Sequence, residues 1–228
     1  MSTDPGPTSS TPQSLTQAER TAISDRAMLA AAMELILQHG IEKTTLQSIG
    51  ERAGYSRGLA TYRFGSKAGL LDEVCKSISR RWLDFLNERV GEQIGIDAMC
   101  TALDSFFEFI SRYPSDAQVL QILYGGAASP TSEFRQTSAN IHQRQMDDVA
   151  TWVAAGVATG SIRDDVDPKS VAAQYIAYIS GMTYLWLISS PSVDFEKAND
   201  DMKTHLRLSL QSDSEKSQGI QNDKRVYL

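Results

Sequence analysis

The chain is poor in the residues that carry most site chemistry. Its 228 residues include two cysteines, Cys75 and Cys100, and three histidines. Two thiols cannot build a disulfide framework or a four-ligand metal site, so both read as reduced, and His142 is a lone histidine on a helix with no partner at metal spacing. There is no G-x-S-x-G elbow, no H-E-x-x-H, and no G-x-G-x-x-G after a strand, which leaves catalysis without a foothold and predicts neither cofactor nor metal. The acidic "DDVD" at 164 to 167 lies in a turn with N-caps to supply. Strand signals are almost absent: no sustained polar/apolar alternation, and no Asn-Gly or Asp-Gly turn between β-branched runs. The first 19 residues, "MSTDPGPTSSTPQSLTQAE", hold no apolar run. They predict a disordered arm rather than a signal peptide, and residues 212 to 228 predict a disordered tail.

What is present is ordinary for a soluble, cytoplasmic protein: 41% hydrophobic and 22% charged residues. The net charge of −6 argues against a nucleic-acid partner until its distribution is considered. Residues 20 to 90 hold 11 Lys and Arg against 8 Asp and Glu, and the remainder hold 11 against 20. The basic excess is local.

Apolar residues recur at helical spacing throughout. Met28, Ala32, Leu35 and Ile36 stripe a helix over 20 to 39 that Gly40 should stop. Thr44 with Gln47 suggests a capping box for a short helix ending at Gly54. Ser56 is a natural N-cap for a second short helix through Phe64, and Ser66 for a longer one striped by Leu70, Leu71, Val74, Ile78 and Trp82. Two very short helices joined by "GYS" within a three-helix unit have helix-turn-helix spacing, with the motif at about 45 to 64. Further helices follow over 97 to 113, over 115 to 126 (ended by Gly125 and Gly126), from Pro130 to about Thr159, over 168 to 190, and over 194 to 211.

The stretch "GYSRGLATYRFGSK" at 54 to 67 then has three readings: a phosphate loop, a plain surface turn or a DNA-reading helix. No strand precedes Gly54, which excludes a Walker-type loop. A solvated surface helix explains poorly a glycine-tolerant, leucine-poor helix in this three-helix frame. As a DNA reader it assigns every part. Ser56 and Arg57 sit at the helix N-terminus, where N–H groups favour phosphate. Gly58 permits close backbone approach, Thr61 shares its face, and Tyr62 and Arg63 can reach phosphate or bases. Lys67 suits a backbone phosphate, and Thr44 and Thr45 open a second phosphate-facing helix end.

These residues also resemble the DNA-binding domain of the TetR-type transcriptional regulators. Thr45, Ile49, Ala53, Gly54, Ser56, Gly58, Phe64, Lys67, Leu70 and Leu71 match the family pattern, and the similarity spans about residues 22 to 80. Gly50 stands where alanine is usual, Tyr55 replaces a small aliphatic residue, and the usual tyrosine of the recognition helix is Thr61, with the aromatic one place later at Tyr62. The resemblance implies an all-α protein in which a helix-turn-helix DNA-binding domain at 20 to 82 is followed by a helical regulatory and dimerisation domain at 83 to 211. It implies a homodimeric repressor that binds a palindromic operator in double-stranded DNA and is released by a small-molecule effector.

Helix 168 to 190 is apolar nearly all round and long enough to raise a membrane span. Gln174, Ser180, Thr183 and three tyrosines argue instead for burial against a partner, and with 194 to 211 it would form a four-helix interface between two copies. Phe106, Tyr124, Trp152, Tyr178 and Met182 are the candidate lining of an apolar ligand pocket. Two rivals follow from the same residues: a DNA-binding protein of this fold controlled by a protein partner, and a small-molecule binder that has lost DNA.

Overall fold

The computed structural model describes residues 15–189 and 193–212. The described chain is all-helical: α1 (Gln17–Lys43), α2 (Leu46–Ala53), α3 (Arg57–Phe64), α4 (Lys67–Val90), α5 (Gly95–Arg112), α6 (Pro114–Ala127), α7 (Arg135–Ala158), α8 (Pro168–Ser189) and α9 (Phe195–Leu210). Most starts are capped by the residues that the sequence offers. Ser56, Ser66 and Asp194 each accept the backbone N–H three residues on, and Asp167 accepts from Lys169 and Ser170 behind Pro168.

Four boundaries differ from expectation, each for a local reason. Helix α1 starts at Gln17, inside the expected arm, because Thr16 and Glu19 form a reciprocal capping box. Gly40, at φ 77°, breaks the helix as expected, but the chain resumes for one more turn to Lys43. Glycines 125 and 126 do not end α6, which runs on to Ala127. Pro130 does not open α7: Ser129, Ser132 and Arg135 pair in successive turns, and the helix begins five residues later behind buried Phe134. Residues 1–14 of the expected arm and 213–228 of the expected tail lie outside the described residues.

The N-terminal core gathers Met28, Ala32 and Ile36 of α1, Ile49 of α2, Ala60 of α3, and Leu70, Val74 and Ile78 of α4. Val119, Leu123 and Ala127 of α6 belong to the same core. The expected division near residue 82 therefore falls in the middle of α4, and a helix of the second half is built into the first. Arg81 of α4 pairs with Asp116, which is buried at the start of α6, and ties these two helices together. Burial raises the Asp116 carboxyl even though Arg81 pulls the other way.

The second core joins α5, α7, α8 and α9 around Met99, Leu103, Val153, Tyr175 and Leu206. Tyr175, fully buried, donates to the Met99 carbonyl at 2.7 Å. An isolated bridge between Ile162 and Gln211 fastens the end of α9 to the turn after α7. An aromatic cluster of Trp82, Phe85, Phe106 and Phe109 lies between the two cores. Cys75 and Cys100 are buried and unbonded to each other, and burial pushes the Cys75 thiol up to about 12 and raises the Cys100 thiol as well.

Candidate nucleic-acid interface and ligand cavity

The helix-turn-helix is held from inside by Ile49 and Ala60, both fully buried, with Leu46, Ala53, Leu59 and Phe64 packed beside them. Gly54 turns the chain in the left-handed region at φ 78°, where a side chain would be strained. The unusual Gly50 has a steric reason. A Cβ there would lie 3.1 Å from the Tyr55 and Ser56 backbone, so α2 and the turn approach more closely than alanine comfortably permits.

This packing turns one face of α3 outward. Arg57, Gly58, Thr61 and Tyr62 are all exposed, and Tyr62 is 82% exposed, the largest value among the exposed large hydrophobics. Among the described residues Arg57 has no hydrogen-bond or ion-pair partner. Gly58 is the informative member. It costs a helix about 1 kcal/mol relative to alanine, yet a Cβ there would meet nothing closer than Ser56 Oγ at 3.7 Å, an ordinary contact. Nothing within the chain requires glycine at this position. Gly58→Ala is accordingly expected to raise the melting temperature by about 1–3 °C while weakening DNA binding, read by calorimetry and anisotropy on one preparation. A variant that gains stability and binds DNA as before would remove the close-approach argument.

Four of the residues expected to contact DNA have partners within the chain. Thr44 is buried at 1% exposure, and its hydroxyl donates to the Gly40 carbonyl at 2.9 Å. Thr45 is the N-cap of α2, in a reciprocal pair with Ser48 rather than Thr44 with Gln47. Arg63 is held by both carboxylate oxygens of Asp25 on α1, which also raises its pKa, so it braces α3 against α1. Lys67 donates to the Glu42 carbonyl at 3.3 Å, which leaves part of its ammonium to solvent.

A cavity of about 120 Å³ lies between α4, α5, α6, α7 and α8. Phe106, Tyr124 and Trp152 line it, as expected. Tyr178 and Met182 do not. The Tyr178 hydroxyl donates to the Ala198 carbonyl and fastens α8 to α9, while Met182 is buried away from the cavity. The five candidates were four aromatics and a methionine, and they left out polar lining that includes Gln121, His142, Gln145 and Asp148. The last three share one face of α7 with Val149 and Trp152, at helical spacing that the sequence displays. Among the described residues, no group of three or more His, Cys, Asp or Glu could hold a metal.

A short recognition helix presented by a three-helix unit, built onto a larger helical domain with an internal cavity, defines a helix-turn-helix transcriptional regulator. Two family profiles match the chain: "Bacterial regulatory proteins, tetR family" over residues 28–74, and "BetI-type transcriptional repressor, C-terminal" over residues 112–211. The chain belongs to the TetR family. It is similar to the HTH-type transcriptional regulator TtgR of Pseudomonas putida, with 25% identity over 193 residues, 80% of this chain and 90% of TtgR. The HTH-type transcriptional repressor KstR2 of Rhodococcus jostii is 25% identical over 174 residues, 73% of this chain and 80% of that protein. Among solved structures, SmeT of Stenotrophomonas maltophilia in complex with triclosan superposes with a TM-score of 0.70 at 21% identity, covering 83% of this chain and 92% of that one. FadR of Bacillus subtilis in complex with stearoyl-CoA gives a TM-score of 0.70 at 17% identity, covering 79% and 96%.

Proposed function

We propose that the protein is a homodimeric repressor that binds a palindromic operator through α3 and leaves it when a small molecule occupies the cavity of the second domain. The observation that carries this reading is that α4 and α6 each face both ways. Ser79, Trp82, Leu83 and Leu86 of α4 line the cavity, while Leu70, Leu71, Val74 and Ile78 of the same helix lie in the N-terminal core. Leu120, Gln121 and Tyr124 of α6 line the cavity, while Val119, Leu123 and Ala127 pack with α1. A ligand that fits one setting of these two helices better than another shifts the population of N-terminal units competent for DNA. The relatives are transcriptional regulators, and the buried, protonated thiols give no support to an enzymatic role.

The second copy is expected on the outer face of α8. Ala173, Ala177 and Gly181 leave a shallow track there, flanked by exposed Tyr184, Leu185 and Ile188, and Leu208 of α9 is 71% exposed nearby in sequence to the end of the fold. By length and hydropathy α8 could also cross a membrane, and only 22% of that window is buried within the chain. Tyr175 and Tyr178 spend their hydroxyls on α5 and α9, which binds α8 into the helical domain and favours a protein partner.

The test is binding of the purified protein to the DNA upstream of its own gene, by fluorescence anisotropy at several salt concentrations. The expected result is tight binding to a palindromic fragment that falls by more than about tenfold between ~50 and ~200 mM salt, because several phosphates are neutralised. Binding no better than to random DNA, together with an empty genome-wide selection of bound fragments, would overturn the reading.

A further inference from the structure

Of the polar groups that line the cavity, the carboxamides of Gln121 and Gln145 and the hydroxyls of Ser79, Ser180 and Thr183 can donate as well as accept, while the carboxylate of Asp148 only accepts. His142 Nδ1 lies 2.9 Å from the Ser138 carbonyl oxygen, which can only accept, so Nδ1 carries the ring proton and a neutral ring keeps Nε2 as an acceptor. Asp148 follows on the same face of α7. It is half-buried, and among the described residues it has no hydrogen-bond or ion-pair partner. Burial raises its carboxyl, Arg144 one turn earlier opposes this, and Asp147 reinforces it. Among the described residues Asp148 is the only carboxylate in the lining, and no lysine or arginine lines the cavity.

Around these groups stand Trp82, Phe106, Tyr124 and Trp152. Ring faces and a carboxylate stabilise the same thing, a positive charge that has left water. An anion would meet the Asp148 carboxylate and, among the described residues, no lysine or arginine in the lining. The wider field agrees in sign: outside residues 20 to 90 the chain carries 20 acidic against 11 basic residues. At about 120 Å³ the cavity is somewhat smaller than the ~150 Å³ that accommodates benzene in an apolar protein interior. Its enclosed part has room for about one ring.

We propose that the cavity binds an organic cation, a protonated amine or quaternary ammonium carried on an apolar body of about one ring, with its charge at Asp148 and its body among Trp82, Phe106 and Trp152. This rests on the reading of the cavity as the effector site and specifies the charge of what enters it.

The experiment is isothermal titration calorimetry of the full chain with three ligands that share one skeleton: 2-phenylethylammonium, 2-phenylethanol and phenylacetate. The ammonium is expected to bind at least about tenfold more tightly than the alcohol, with phenylacetate weakest. In Asp148→Asn, which keeps the shape of the side chain, the alcohol should bind as before and the advantage of the ammonium should shrink to about twofold or less. The wild-type ranking stands without the variant, so a poorly folded Asp148→Asn does not remove the test. Equal or tighter binding of the alcohol or the carboxylate, or no binding of any of the three at millimolar concentration, overturns the proposal. Anisotropy on bound DNA separates the two readings. A cation that binds with this preference but leaves the DNA complex intact sinks the effector role and keeps the ligand class.

Discussion

Arg57→Ala is expected to weaken operator binding by about 10- to 100-fold, the range of a lost guanidinium contact to a base edge or phosphate. The melting temperature should stay within about 2 °C of the parent, as for a surface substitution that removes no internal partner. The two expectations belong together. Arg57 is exposed on α3 and makes no ion pair among the described residues, so its removal leaves nothing unpaired inside the fold. Tyr62→Ala, at the most exposed aromatic ring of the same helix, should lower affinity in the same direction and again spare stability. Arg63→Ala supplies the contrast. It breaks the clamp on Asp25, so any loss of affinity should come with a small loss of stability, up to about 1 kcal/mol for a partly exposed pair. If Arg57→Ala bound a palindromic fragment as tightly as the parent, the outward face of α3 would not be the reading face. The contact would then have to come from another helix end, such as that of α2 at Thr45.

The helix-turn-helix was legible because its signals are local. Gly54 as the left-handed turn, and Ser56 and Ser66 as N-caps, act over three residues and hold in the structure. Where two local signals competed, neighbours decided. Both Thr44 and Thr45 can cap, and the chain uses Thr45 because Thr44 is drawn into the core by the Gly40 carbonyl. The Arg63 clamp was not legible for a non-local reason, since Asp25 lies 38 residues upstream and only the packing of α3 on α1 brings them together. The same holds for the cavity. Phe106, Tyr124 and Trp152 could be chosen by aromatic character, but Tyr178 is spent on the α8–α9 junction. The α7 face of His142, Gln145 and Asp148 was visible as a spacing, although nothing in the sequence says which face of α7 meets the cavity.

Tyr124 marks where the two halves of the molecule are coupled. It lines the cavity, packs against the N-terminal core, sits edge-on to the His142 ring at 4.6 Å, and lies beside the Cys75 side chain of α4. One residue pair further, a Cβ on Gly126 would come within 3.0 Å of Ile41 Cδ1, in the last turn of α1. Interiors at this density do not absorb a displacement smoothly. On the proposed reading, a ligand that moves α6 by part of an ångström is expected to act on α1 directly as well as on α4, and through them on α3.

Gly181→Arg is expected to turn the dimer into a monomer and to reduce operator affinity by about 10²- to 10⁴-fold, the factor lost when two linked half-site contacts become independent. Within its own chain the substitution is harmless. Gly181 is exposed in mid-helix, and a Cβ there would meet nothing within 4 Å, so replacing glycine should stabilise α8 by a few tenths to about 1 kcal/mol. Helical content and thermal stability of the monomeric unit should therefore survive while sedimentation shows half the mass. In the proposed dimer, Gly181 would stand to the second copy as Gly58 would stand to DNA. Each is a glycine inside a helix, costly there, and unexplained by any atom of the described residues. A guanidinium at the centre of the Ala173, Ala177 and Gly181 track would be buried without a carboxylate opposite, because the two-fold axis of a dimer sets like against like. A variant that sediments as the parent and binds DNA equally well would place the interface on another surface, and the exposed apolar end of α8 at Tyr184, Leu185 and Ile188 would then need a different occupant.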